Sequence, residues 1–308
     1  MKSKIKTFKP NELLEEYMDA GTKRNQVFKE GYERFFIARL EDLNEIVKPP
    51  IPPTRSRMHS ILFVTSGKLK MKVGAHSVKI QENECVIIPH RQVFSASLDD
   101  YKDITQGTGF NFGFIDDFII EQIANTELLN TFEFLTVWGN PVIRPHKTIA
   151  KYIIQSLNRI FNEYAQNGLQ NPLILQAHLI ATLCDLKMDY KPLSNSNNKT
   201  AVALTNRFKE LLHQNIRTKH QVSDYSSLLH VSPNHLNKTV KLITQKSPSV
   251  WIGETLVSES KVLLFQSSQS ISEIASELGI DDQSYFSRLF KKHEGVTPIA
   301  YRKMIDLS

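Results

Sequence analysis

The sequence predicts an α+β protein in two parts: a β-barrel or jelly roll with trailing helices, then an all-α part in which two helix-turn-helix motifs are joined by a long helix. Three observations carry this. Between Val27 and about Ile115, short apolar runs of strand character alternate with turn residues. From Asp116 the apolar spacing becomes helical. Beyond about Thr200 one helix-turn-helix pattern occurs twice, fifty positions apart. A length of 308 residues fits two domains.

Charge and cysteine usage narrow the partners. The net charge is +6, and from Asn195 onward 14 Lys+Arg face 10 Asp+Glu, so the C-terminal third holds +4. That excess suits a polyanionic partner. Cys85 and Cys184 are the only cysteines, each expected to be a small buried hydrophobe in a reducing cytosol. No apolar run follows MKSKIKTFKP, and no segment approaches the ~18 apolar residues of a membrane span. The expectation is a soluble, cytoplasmic protein with no signal peptide and no membrane partner.

Taken in order, residues 1–26 read as a polar N-terminal arm with a short helix near Asn11 to Asp19. Strands are expected at Phe35 to Leu40, His59 to Val64, Leu69 to Val73, Val78 to Ile80, Cys85 to Ile88 and Phe110 to Phe114. Ser66-Gly67, Gly74, Glu82-Asn83 and Pro89 punctuate them, and Leu69, Met71 and Val73 alternate with Lys68, Lys70 and Lys72. Three helices follow, marked by Phe118, Ile119 and Ile123; by Ile149, Ile153, Leu157, Ile160 and Phe161; and by Leu175, Leu179, Leu183 and Leu186 after Asn171-Pro172. Residues 191–199 combine polar turn formers without periodicity and read as a linker between a domain at 27–190 and one at 200–308.

In the second domain, Leu204, Phe208, Leu211 and Leu212 stripe a first helix. Ser223 is expected to cap a short helix carrying Tyr225, Leu228 and Leu229, and Ser232-Pro233 to open the next, buried through Leu236, Val240 and Ile243. Ser247-Pro248 starts a helix to about Gln266, roughly 26 Å long. Ser270 and Glu273 form a capping box, Gly279 ends that helix, and Asp281 or Asp282 caps a last one with Phe286, Leu289, Phe290 and His293 on one face. Asn234, Asn237, Lys238 and Lys241 point outward in the first unit, as Ser284, Ser287, Arg288 and Lys291 do in the second. Spacing alone also fits an ordinary amphipathic helix pair with a solvated charged face.

The runs SISEIASELGI, DQSYFSRLFKK and GVTPIAYR closely resemble the C-terminal signature of the AraC family of bacterial transcription regulators, over about Thr200 to Met304. Ile280 stands where that family usually has an aromatic, and fills the same apolar gap. The resemblance implies a sequence-specific regulator, an activator by family analogy, that binds double-stranded promoter DNA and works with RNA polymerase. Arg288 can donate two parallel bonds to guanine, Asn234, Asn237 and Gln283 suit adenine, Ser284 and Ser287 serve either, and Lys238 reaches base or phosphate. Lys241, Lys291 and Lys292, with the helix N-termini opened by Ser232, Ser272 and Pro298, are expected to hold phosphates.

ILFVTSGKLKMKV and VKIQENECVIIP resemble the cupin-like effector and dimerisation domain that precedes many AraC-type readers. This implies a small-molecule effector within the barrel at 27–115 and a homodimer through helices in 148–189. Cupin enzymes use a histidine pair and a carboxylate, but the matching region reads Arg55-Ser56-Arg57-Met58-His59, with one histidine. His59, like His76 and His90, is therefore expected to be a polar strand residue. No metal, cofactor or catalytic residue is expected. The alternatives are a ligand-independent dimeric regulator and a cupin-type enzyme with a DNA-binding tail.

Overall fold

The computed structural model describes residues 10–74, 76–97, 100, 107–123, 131–135, 140–191 and 199–306. They divide into two compact units, one within 7–192 and one within 193–308. Residues 1–9 of the expected arm and 192–198 of the expected linker lie outside the described residues.

The N-terminal unit starts with α1 (Pro10–Tyr17) and α2 (Thr22–Val27). Leu14 is buried with Phe28, Ala38, Leu43 and Ile46. Backbone bonds from Asp19 N to Ile46 O (2.7 Å) and from Lys48 N to Tyr17 O (2.8 Å) hold the segment in place. Residues 10–26 are therefore part of this unit and not an arm apart from it. The strands are β1 (Phe35–Arg39), β2 (Ile51–Arg55), β3 (His59–Ser66), β4 (Lys68–Val73), β5 (His76–Gln81), β6 (Cys85–Ile88), β7 (Val93–Ala96), β8 (Thr108–Phe114) and β9 (Val142–Ile143), with α3 (Leu40–Asn44) after β1. They form two antiparallel sheets, in the orders β1-β8-β3-β6-β9 and β2-β7-β4-β5.

All six expected strands are present, and β2, β7 and β9 are additional. β2 reads Ile-Pro-Pro-Thr-Arg, a sequence that argues against a strand because proline donates no ladder bond. It survives because β2 is a sheet edge. β7 and β9, of four and two residues, are too short to carry a readable period.

Between the sheets, Val64, Val86 and Ile88 meet Leu69, Met71, Val73 and Ile80. The other face of the five-stranded sheet is covered by helices α4 (Asp116–Ile123), α5 (Lys147–Asn167) and α6 (Pro172–Asp189), whose Phe118, Ile153, Leu157, Leu179 and Leu183 pack on Phe35, Ile61, Phe63, Phe110 and Phe112. A sheet covered on both faces explains why β6 is an unbroken apolar run while β4 alternates. Cys85 is buried as expected, but Cys184 is exposed on the outer side of α6.

The C-terminal unit comprises α7 (Lys199–Asn215), α8 (Val222–Leu228), α9 (Pro233–Thr244), α10 (Pro248–Gln266), α11 (Ile271–Glu277), α12 (Gln283–Glu294) and α13 (Pro298–Asp306). Helix α10 is the hub. It is buried nearly all round, through Trp251, Ile252, Leu256, Val257, Leu263 and Leu264, because it has neighbours on several sides. Gly253 admits α12: a Cβ there would lie 2.6 Å from His293 Nε2. Buried Lys261 and half-buried Glu294 form an ion pair across the same contact. From α13, Arg302 donates through Nη1 to Gln269 O (2.6 Å) and through Nε to Leu264 O (3.2 Å), closing the end of α10.

Candidate functional site

The helix pairs α8–α9 and α11–α12 share one local design. After the first helix of each pair the chain enters the left-handed region, at His230 (φ 54°) and at Gly279 (φ 73°). The next amide then reaches back in the same way, Val231 N to Ser226 O (3.0 Å) and Ile280 N to Ala275 O (2.8 Å). Ile280 is buried, as the apolar gap requires. The second helices open on side-chain caps: Ser232 Oγ accepts from His235 N (3.1 Å), and Asp282 Oδ1 accepts from Ser284 N (2.7 Å). Of the two aspartates considered, Asp282 is the cap.

One expected helix start is displaced, and one expected phosphate-binding serine lies inside its helix. The cap of α8 is Gln221, boxed with Asp224, and not Ser223, because Asp224 supplies the carboxylate at the third helical position. The cap of α11 is Ser270, boxed with Glu273 as the spacing predicts, so Ser272, also expected at the opening of this helix, sits inside the first turn. There the Glu273 carboxylate already accepts the Ser270 N–H (2.7 Å), and that hydrogen bond holds Glu273 below the usual carboxylate range. A phosphate at Ser272 would meet this negative charge.

The other proposed DNA-contacting residues lie on the outer faces. Ser232, Asn234, Lys238, Lys241, Gln283, Ser284, Arg288, Lys291 and Lys292 are exposed, and Asn237 and Ser287 are half-buried. Leu236, Val240 and Ile243, and Phe286 and Phe290, take the inner faces. Arg288 Nη2 lies 3.8 Å from Asp282 Oδ2, with both side chains mostly exposed. Such a pair is worth about 0 to 1 kcal/mol, so Arg288 remains available. Sequence reasoning missed His235 and Tyr285, exposed at matching positions of α9 and α12. The repeat offset of fifty would have found them.

The N-terminal unit contains two further features. The first is a cavity of about 140 Å³ between the sheets, lined by Phe36, Leu62, Met71 and Phe94 and roofed by Leu14, Met18, Leu40 and Leu43. Ser60 and Asn111, also in its lining, share a hydrogen bond of 2.8 Å. The lining extends beyond the expected 27–115 into α1.

The second feature corrects the reading of His59 as a solitary strand histidine. His59 Nε2 lies 2.8 Å from Asp116 Oδ1 and 3.0 Å from His90 Nδ1, and His90 N donates to His59 Nδ1 (3.3 Å). The hydrogen bond with His59 lowers the Asp116 pKa, while burial, reinforced by His59, pushes His90 down to about 4. The sequence hid this group because its members come from β3, the β6–β7 turn and the start of α4.

The comparisons agree with the C-terminal geometry. A helix-turn-helix domain family matches residues 225–304. The chain is 22% identical over 257 residues to an uncharacterized HTH-type transcriptional regulator, YisR, of Bacillus subtilis, covering 80% of this chain and 86% of that one. It is 33% identical over 95 residues to the bifunctional transcriptional activator/DNA repair enzyme AdaA of Bacillus subtilis, but covers 31% of this chain and only 45% of that protein. A crystal structure of ToxT from Vibrio cholerae matches over 83% of this chain and 92% of that one, with 14% identity and a TM-score of 0.43. Among the described residues no helix is long and apolar enough to cross a membrane. The two capped helices on one hub both lie within the matched helix-turn-helix domain, and the chain is similar to HTH-type transcriptional regulators.

Proposed function

We propose that this regulator binds promoter DNA by placing α9 and α12 in successive major grooves, and that a small molecule in the N-terminal cavity switches it. The observation that carries the reading is the matched pair of outer faces, Asn234, Asn237, Lys238 and Lys241 on α9 against Ser284, Ser287, Arg288 and Lys291 on α12. Base-edge contacts fall to Asn234, Asn237, Lys238, Gln283, Ser284, Ser287 and Arg288, and phosphate contacts to Ser232, Lys241, Lys291 and Lys292. The test is Lys241→Ala. It should weaken binding to all sequences alike and reduce the salt slope by about one charge. A loss confined to one operator base would refute the phosphate role.

The effector is a largely apolar, uncharged molecule with few hydrogen-bonding groups. Among the described residues that line the cavity none is charged, and the polar side chains are Tyr32, Asn44, Ser56 and the hydrogen-bonded pair Ser60 and Asn111. A neutral apolar fluorescent probe should bind full-length protein and be excluded by Leu62→Trp; equal binding to both would sink the assignment. An activating role is favoured by the activator named among the relatives. It makes RNA polymerase the further partner and the cytoplasm the place of action. Dimerisation is assigned to the helices within 148–189, through the exposed apolar side of α6 at Leu173, Ala177, Ala181, Cys184 and Met188.

A further inference from the structure

We propose that His59, His90 and Asp116 form a binding site for a divalent first-row transition metal ion. Three ligand atoms, His59 Nε2, His90 Nδ1 and an Asp116 carboxylate oxygen, lie within 4.8 Å of one another. Two of the separations are 2.8 and 3.0 Å. With metal–ligand bonds of about 2.1 Å, neighbouring ligands are about 3.0 Å apart in an octahedral shell and about 3.4 Å in a tetrahedral one. Two of the three pairs are thus already near coordination spacing, and the third, His90 Nδ1 to the Asp116 carboxylate, lies within 4.8 Å, so an ion requires tenths of an ångström at the first two and a rotation of the half-exposed Asp116 side chain for the third.

The donor set selects the ion. Two imidazoles and one carboxylate suit zinc, iron(II) or cobalt(II) better than calcium or magnesium, which prefer all-oxygen shells. The rings are held in place: His59 is 3% exposed, stacks on Phe114 at 5.2 Å and meets the His90 ring edge-on at 4.7 Å. The Asp116 side chain, 43% exposed, leaves a route in from solvent.

In the metal-free arrangement His59 Nδ1 accepts the His90 N–H, so the ring proton of neutral His59 lies on Nε2, facing both Asp116 and His90. On metal binding that proton moves to Nδ1 and Nε2 offers its lone pair, and the 3.3 Å bond from His90 N, the longest of the three, is given up. An ion would join the first residues of β3 and α4 to the β6–β7 turn. Helix α4 is already tied to α6 by Gln176 Nε2 donating to Phe118 O (2.6 Å).

The experiment uses untagged, full-length protein stripped with a chelator and titrated with Co²⁺, read by visible absorption, then with Zn²⁺ in competition, with metal content measured by mass spectrometry. One ion per chain is expected, with no competition from Mg²⁺ or Ca²⁺. His90→Phe and Asp116→Asn should each weaken Co²⁺ binding at least about tenfold, whereas His76→Ala, on an exposed position of β5, should leave it unchanged. Asp116→Asn is isosteric and half-exposed, so it tests the site even if His90→Phe does not fold. Absence of stoichiometric uptake by folded wild-type protein, or uptake that survives Asp116→Asn, overturns the proposal and leaves the group as a hydrogen-bonded trio only.

Discussion

In the proposed DNA-binding mode, the difference between arginine and lysine at position 288 decides which bases α12 would distinguish. The guanidinium is a planar fork that matches the two major-groove acceptors of guanine, whereas an ammonium is a point charge. Arg288→Lys should therefore keep nonspecific affinity and cost about 1 to 3 kcal/mol at one operator position. Titrations against operators substituted one base pair at a time, at fixed salt, check this; full preference retained everywhere would make Arg288 a backbone contact. Glu273 supports a second residue-scale prediction. Its folded pKa is depressed by the Ser270 amide, so its contribution is present above the ordinary glutamate value of about 4.3 and is lost as pH falls through the lower folded value. The difference in urea midpoint between wild type and Glu273→Gln should accordingly be largest above pH ~5 and shrink toward pH ~3. A constant difference would mean that the carboxylate charge is not what the cap uses.

At the scale of elements, the two turns differ in tolerance although they share a shape. Gly279 has positive φ, and a Cβ there would lie 2.4 Å from the Arg217 carbonyl oxygen. Gly279→Ala should cost about 1 to 2 kcal/mol in backbone strain, with the clash in addition. At His230, with φ of 54°, the native side chain already bears that strain. His230→Gly should thus be neutral to mildly stabilising, by less than about 1 kcal/mol, since glycine also frees the unfolded chain. Urea unfolding of both variants checks the opposite signs. Much of this was legible beforehand: Ser232-Pro233, Ser247-Pro248 and the Ser270–Glu273 box act within one turn of chain. The caps of α8 and α12 were less so, because serine and aspartate neighbours compete and only backbone direction chooses between them.

At the scale of the whole molecule, α6 presents two apolar faces. Leu175, Leu179, Leu183 and Leu186 are buried, while Leu173, Ala177, Ala181, Cys184 and Met188 run exposed along the other side at helical spacing. Leu173 is 60% and Met188 72% exposed, more than a helix of an isolated unit needs to leave uncovered. A second copy is the proposed cover. Ala181→Arg should convert a dimer to a monomer in light scattering and weaken binding to a two-site operator; a wild-type monomer at micromolar concentration would sink the proposal. Residues 199–308 alone should still bind double-stranded DNA, since both reader helices and α10 lie inside that segment. A folded fragment that fails where the full chain binds would show that the N-terminal unit supplies part of the reader.

What the sequence determined by itself were features set by residues a few positions apart. These are the alternation of β4, the apolar run of β6, the helix starts at Pro172, Pro233 and Pro248, and the repeat that exposes Lys238 and Arg288 at matching places. Short-range periodicity and capping suffice for these because the backbone period fixes which side chains share a face. Tertiary structure alone decided the rest. Pro52 and Pro53 lie in a strand only because β2 became an edge. Arg302 closes α10 from 33 and 38 positions away. His59 meets His90 and Asp116 across 31 and 57 positions. Such contacts depend on how sheets and helices pack, and packing is set by the sum of many buried contacts rather than by any one stretch of chain.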